Sequence, residues 1–483
     1  MLNYVPKYFT NKAIALYFII LTVASLVFFR KMIPLQFMFF GAVAVVGFFY
    51  FSNSLTLKWQ KLSEKKYIKN IFKTAFIIRL IYVIFSYFYY QAQCEHGFVF
   101  EFDFADSAHY HWMAAYLIFY SDGFIEAWNA LYERVGNISD MGYALYLGYF
   151  YKMVWWSGEY ISEFGAYPIL FARIVKAVLS AYMCVLIYKL TKRNFGESTG
   201  RIAGILSMLM PHFIYYCGLH LKEMEMVFLT VLFVERADHL LRSKKYNFLN
   251  IAVPILLAGS LFTFRTVLGA AALIAFFSAI VFSTAKVVGW KKRVLIGVWI
   301  VAAIGYFAGG RIAMEVEGVW ADRQDSQEVG MEWRAQREGG NEFARYGSVA
   351  VFAPMIFVIP FPTMINIETQ RNMMMMNGSN FVKNITAFFT MLAIFLLVYR
   401  KKWREHTLIL AFLIGYLAII AMSNFAHSER FHLPSLPFAL IMASYGISQM
   451  DNQKKKYFNW WTMLIFVAVA VWSWIKLAGR GLV

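Results

Sequence analysis

Apolar runs recur from Ala13 almost to the end of the chain, parted by short polar loops in which lysine and arginine predominate. Their length, roughly 17 to 25 residues, matches the hydrocarbon thickness of a bilayer, and a backbone in lipid must satisfy its own hydrogen bonds, so each run is expected to be a helix. The spans are expected near 13–29, 33–52, 72–90, 165–189, 201–217, 222–240, 247–263, 266–284, 293–308, 380–399, 406–422, 433–449 and 459–476, about thirteen in all. Two weaker stretches, 141–156 and 349–366, disturb the rhythm; the second is broken by Pro354, Pro360 and Pro362. Loop parity works only if neither crosses, so both read as interfacial or re-entrant.

Lys58, Lys61, Lys65, Lys66, Lys69 and Lys73 face one acid, Glu64, between the second and third spans, which places that loop in the cytoplasm. Basic loops at 189–201, 242–245, 286–293, 400–404 and 454–456 fall on the same side. The N-terminus is then inside and the C-terminus outside. The first apolar run lacks a small-residue cleavage site after a short core, so it reads as a retained helix and not as a signal peptide.

Composition agrees with this reading. Hydrophobic residues make up 60% of the 483 and aromatics 19%, with a mean hydropathy of +0.53, which excludes a soluble globule. The fold class is all-α polytopic membrane protein. The net charge of +18 does not signal nucleic acid, because the cations sit in the short loops that insertion topology populates. Cys94, Cys184 and Cys217 lack metal-ligand spacing and indicate no disulfide framework.

Candidate chemistry lies where this pattern is violated. Between Gln91 and Asp140 eight carboxylates face the single base Arg134, in a loop that topology puts outside. Its centre holds Asp103, Asp106, His109, Tyr110 and His111 at the start of an aromatic-rich helix. Other polar groups reach the same face from distant parts of the chain: His220, Lys222, Glu223 and Glu225; Arg265; and His427, Glu429, Arg430 and His432. For Glu225 and His111 the plainer reading, contact with headgroups and water, is preferred. Arg173 and Lys176 lie inside the fourth span, where an ionisable residue costs on the order of 3 kcal/mol and marks function. A second outer segment, 309–350, holds eight acids and five arginines, and its 328–345 run is expected to be an amphipathic helix in an outer lid. Met373 to Met376 read as a soft surface for lipid or substrate, or as filler.

Carboxylates mixed with Lys and Arg suit a reaction in which a hydroxyl or amine attacks while an anionic phosphate leaves. A carboxylate takes the acceptor's proton, and basic side chains offset charge on the leaving oxygen. A divalent metal (Mg, Mn or Zn) bridging carboxylate and phosphate is a further option, with Asp103, Asp106 and His109 as candidate ligands.

Several segments resemble, in order, the membrane-embedded GT-C glycosyltransferases, in the branch of protein O-mannosyltransferases and bacterial aminoarabinose transferases. Asp106-Ser-Ala-His-Tyr110 resembles the first-outer-loop signature, Gly142-Tyr-Ala-Leu-Tyr-Leu-Gly148 the non-spanning aromatic stretch, and Phe171-Ala-Arg173-Ile the start of the next span. Pro211 through Leu221-Lys-Glu223 resembles the proline-to-Glu outer hairpin, Phe264-Arg265 the arginine after it, and Ser428-Glu-Arg430-Phe-His432-Leu-Pro434 the late Arg-aromatic-x-x-Pro segment. The resemblance implies a GT-C-like bundle in which a sugar moves from a polyprenyl-phosphate or polyprenyl-diphosphate donor to a glycan, lipid or protein acceptor, with inversion. It implies Asp106 as catalytic base with Asp103 as its partner, Glu223 as a catalytic group that positions the acceptor or metal, Lys222, Arg265 and Arg430 as groups holding the lipid phosphate, and Tyr110, His432 and Arg173 as further groups binding substrate or lipid phosphate. It divides the chain into an accessory pair of helices (1–71), a conserved module with its catalytic loop at 91–164 (72–308), the outer lid and re-entrant segment (309–379) and C-terminal helices (380–483). Membrane lipids are the surroundings and the bacterial inner membrane, with the site facing the periplasm, the expected location. The rival readings are a polymerase or ligase of lipid-linked glycans, and a transporter of lipid-linked sugars.

Overall fold

The computed structural model describes residues 2–94, 99–101, 105–154, 166–243, 248–290, 293–294, 353–367, 374–422, 426 and 428–478. Every regular element among them is helical. The long helices are α1 (Lys7–Val27), α2 (Leu35–Trp59), α3 (Glu64–Gln93), α7 (Ala166–Phe195), α13 (Met376–Tyr399) and α17 (Asn452–Ala478). These six are long and apolar enough to cross a membrane, and three shorter apolar helices accompany them, α11 (Phe248–Phe264), α12 (Thr266–Phe282) and α14 (Thr407–Ala421). The protein is thus a helical membrane protein. The remaining elements are α4 (Ala105–Trp112), α5 (Phe124–Val135), α6 (Met141–Val154), α8 (Glu197–Leu209), α9 (Pro211–Cys217), α10 (Glu223–Arg242), α15 (Glu429–His432) and α16 (Leu436–Ser448). The outer segment 309–350 with its expected lid helix, and the span near 293–308 apart from its first two residues, lie outside the described residues.

Packing builds one large core with two small satellite clusters among the described residues. Helix α7 lies against α3, α8 and α10, while α13 lies against α16 and α2, and α12 against α14. Small residues set two of these crossings. A Cβ on Gly446 of α16 would strike the backbone carbonyl of Phe389 on α13, and one on Gly378 would meet the backbone of Gly41 on α2. Without a strong hydrophobic force between helices in lipid, such close approach supplies much of the association energy.

The expected continuous span at 201–217 is two helices. Met210 is extended (φ −62°, ψ 115°) and Pro211, which has no N–H to donate, opens α9 as its first residue. The carbonyls freed at the end of α8 are taken by Arg79, which is wholly buried: it donates to Met208 O at 3.1 Å, Ser207 O at 3.2 Å and Ser180 Oγ at 2.7 Å. A cation inside the third helix thereby pairs with backbone left bare by a proline in another.

Helix α6 has 14 described residues, about 21 Å at 1.5 Å per residue. Residues 353–367 form a short 3-10 turn followed by irregular chain. Buried irregular backbone needs partners, and α13 provides them: Asn384 donates to Val358 O (2.5 Å) and Pro360 O (3.0 Å), Lys383 to Ile359 O, and Asn377 accepts from Thr363 N–H (3.0 Å). Met374, Met375 and Met376, read from sequence as a soft surface, are buried in the core; Met373 is outside the described residues.

Candidate functional site

Helix α4 presents two faces. Asp106, in its first turn, is about half exposed, and a carboxylate there is favoured by the free N–H groups of the helix start. Tyr110, one turn on, is buried edge-on against Tyr143 of α6, with ring centres 5.1 Å apart.

Arg430 of α15 reaches that outer face. Its Nη1 donates to Asp106 Oδ2 at 2.7 Å, its Nε donates to Glu223 Oε1 at 2.9 Å, and its Nη2 is ion-paired with the same oxygen at 2.8 Å. Glu223 opens α10 and is completely buried. Burial works against the charge on Arg430, but Glu223 and Asp106 outweigh it and hold the guanidinium above its ordinary pKa. One planar fork joins carboxylates that are 117 residues apart in sequence.

Lys222, next to Glu223, is buried. Its ammonium pairs with Asp140, donates to Phe264 O at 3.1 Å and stands 5.5 Å from the ring centre of Tyr110. Arg265 follows α11, with its guanidinium 4.4 Å over the ring of Phe431 and its Nη1 buried without a hydrogen-bond partner among the described residues. Arg430, Arg265 and Lys222 are all close enough to act on Glu223. The site therefore gathers Arg430, Arg265 and Lys222 with the carboxylates of Asp106, Glu223 and Asp140.

A second, buried layer supports the first. On the inner face of α4, Ser107 donates to Glu101 and His111 Nδ1 meets Tyr151 Oη at 2.9 Å; Tyr151 Oη meets His220 Nε2 at 3.1 Å. Burial raises the Glu101 carboxyl above its usual range, pushes the His111 imidazole down to about 4 and drives His220 well below its ordinary value. Arg173 is wholly buried and donates to Val99 O at 2.7 Å. Lys176 donates to Leu219 O (2.7 Å) and Leu221 O (2.5 Å) and lies 3.5 Å from Glu225.

Of the residues expected from sequence, Asp106, Tyr110, Lys222, Glu223, Arg265 and Arg430 come together. Arg173 sits beneath them in the supporting layer, and His432 is buried against Ala426 O at 2.7 Å. His109 is exposed on α4, while Asp103 and His427 lie outside the described residues. His111 and Glu225, read as facing headgroups, are buried with the partners just given. Asp103, one of the three expected metal ligands, lies outside the described residues. Asp106 and Glu223 both turn to Arg430, and no group of three or more His, Cys, Asp or Glu among the described residues is placed to hold one.

Sequence reasoning missed Asp140 and Tyr151. Asp140 has φ 75°, a left-handed conformation that costs most residues on the order of 1 kcal/mol and that Asp tolerates better than most. The signal available was an acid placed directly before the start of α6. Compared with known proteins, the chain matches no family model, no curated protein and no solved structure.

Proposed function

We propose that the protein is a glycosyltransferase of a bacterial inner membrane that moves a sugar from a polyprenyl-phosphate or polyprenyl-diphosphate donor to an acceptor on the periplasmic face. The observation that carries this reading is the Arg430 fork, which holds an exposed carboxylate on one prong and a buried one on the other. Under this reading the fold is a GT-C-like bundle of about thirteen spans.

The chemistry follows from what each group can do. The acceptor's oxygen or nitrogen attacks the anomeric carbon, the bond from that carbon to the phosphate oxygen breaks, and Asp106 takes the acceptor's proton. The departing polyprenyl phosphate keeps the electron pair of the broken bond and is held by Arg430, Lys222 and Arg265, which offset charge where it develops. An arriving phosphate competes with Asp106 for Nη1 of Arg430, while Glu223 keeps the other edge of the guanidinium in place. Donor binding so releases Asp106 to act as base. The transporter alternative draws on Arg79 and Lys383, charges buried inside helices, but both are committed to backbone carbonyls.

The test uses purified wild type and Asp106→Asn in detergent, with a panel of radiolabelled polyprenyl-phosphate sugars and cell-envelope extract as acceptor. Wild type releases polyprenyl phosphate and the variant loses about 10²- to 10⁴-fold in turnover, the range for a general base, while still binding donor. Equal turnover would refute Asp106 as base. Neither turnover nor donor binding in wild type would overturn the glycosyltransferase reading.

A further inference from the structure

Two tyrosines on one face of α6 stand at the junctions of the outer site. Tyr143 and Tyr151 are eight residues apart, a little over two helical turns, and so share a face. Tyr143 packs edge-on against Tyr110 and also contacts the rings of His220 and Phe264, at 6.3 Å each. Tyr151 stands between two imidazoles from different elements, His111 on α4 and His220 in the turn that leads to Lys222 and Glu223.

The hydroxyl of Tyr151 has one proton. With one proton to give and two lone pairs to accept, it meets both imidazole nitrogens at once and donates to at most one of them. Phe100 closes the same pocket, its ring 5.6 Å from His111 and 5.7 Å from His220, and all three polar residues are buried. A hydrogen-bond chain shut away from water is directional and costly to break. It acts on α4 together with the Ser107 to Glu101 bond one turn earlier, and on the 218–222 turn together with Lys176, which holds the carbonyls of Leu219 and Leu221. The inner face of α4 is thus fixed at two points, and its outer face carries Asp106 to Arg430.

We infer that Tyr151 is a positioning residue, whose hydroxyl locks the helix bearing Asp106 to the turn bearing Lys222 and Glu223 through His111 and His220. It touches no substrate; it sets the distance between the base and the groups that hold the leaving phosphate. Its effect on catalysis rests on the glycosyltransferase reading proposed above, whereas its effect on the two segments does not.

The experiment compares wild type, Tyr151→Phe, His220→Phe and the double variant, with Tyr146→Phe as a control on the same helix. Hydrogen exchange read by mass spectrometry follows residues 105–112 and 218–222. Tyr151→Phe raises exchange in both segments together, and the control leaves both unchanged. In the transfer assay kcat falls about tenfold in Tyr151→Phe, less than the roughly hundredfold cost of a full 1 Å misplacement, while the KM for donor moves less than about twofold. The double variant is no slower than the slower single variant, because both remove the same link. Unchanged exchange in both segments, or losses in kcat that multiply in the double variant, would overturn the inference. If wild type transfers no sugar from any donor, the proposed function fails and the exchange comparison alone decides whether Tyr151 locks the two segments.

Discussion

Replacing Lys176 by Met tests the buried polar layer directly. The Lys176 side chain is 1% exposed and that of Glu225, 3.5 Å away, 4% exposed. Met keeps most of the aliphatic volume, so the loss is electrostatic. Two hydrogen bonds from an ammonium to the carbonyls of Leu219 and Leu221 disappear, each worth roughly 1.5–3 kcal/mol net. Glu225 loses its cation, and an uncompensated buried charge costs roughly 3–5 kcal/mol. These terms overlap, because Glu225 can take up a proton once its partner is gone, so about 3–5 kcal/mol in total is the expected penalty. At roughly 2 °C per kcal/mol for a large chain, the unfolding midpoint in detergent falls by about 6–10 °C. Adding Glu225→Gln removes the stranded charge and recovers about half of the loss, since a neutral amide in place of a buried carboxylate no longer needs a cation. Thermal unfolding followed by size-exclusion fluorescence reads both variants. A midpoint unchanged in Lys176→Met, or lower in the double variant than in the single, would show that the ammonium does not hold the 218–222 turn.

Two further expectations concern pH and packing. His111 has its folded pKa lowered by burial from 6.5 to about 4, so its contribution is fully present above pH 6.5 and is lost as pH falls toward 4. At about 1.4 kcal/mol per unit this is about 3 kcal/mol, seen as a drop in unfolding midpoint between those pH values that His111→Gln makes shallower; an identical acid profile in the variant would contradict the assignment. In Gly446→Ala the new methyl strikes the Phe389 carbonyl and approaches two more of its backbone atoms to 2.9 and 3.1 Å. Overpacking costs about 1–3 kcal/mol here and outweighs the gain of about 1 kcal/mol in helix propensity, so the midpoint falls by a few degrees; a rise would show that α13 and α16 separate freely.

Run length and composition made the helical membrane class legible, because a backbone in hydrocarbon must satisfy its own hydrogen bonds. They also marked Asp106, Lys222, Glu223, Arg265 and Arg430, since each is a polar interruption at the edge of an apolar run. What the residues did not disclose is who pairs with whom. The run 201–217 is apolar throughout, so hydropathy hides the break at Pro211, and the cation that makes the break tolerable, Arg79, stands in another helix more than 120 residues earlier. Tyr151 looked like one aromatic among many in a stretch where rings are common, and only the approach of His111 and His220 gives its hydroxyl a task.

The same cause explains why His111 and Glu225 were read as facing headgroups. At the end of a helix a polar side chain meets either water or a protein partner, and the two outcomes have the same local sequence. In hydrocarbon or in a packed interior the choice is forced, because an unpaired polar group costs several kcal/mol. Burial of His111, Arg173 and Lys176 calls for partners, and the structure supplies them from α6, the 99–101 segment and the 218–222 turn, while Glu225 is met by Lys176 itself. Those three elements sit directly behind the Arg430 fork. Sequence marked both buried groups (Lys222, Glu223, Arg173, Lys176) and exposed ones (Asp106), but it did not show which backbone carbonyls Arg173 and Lys176 hold or which side chains the others pair with.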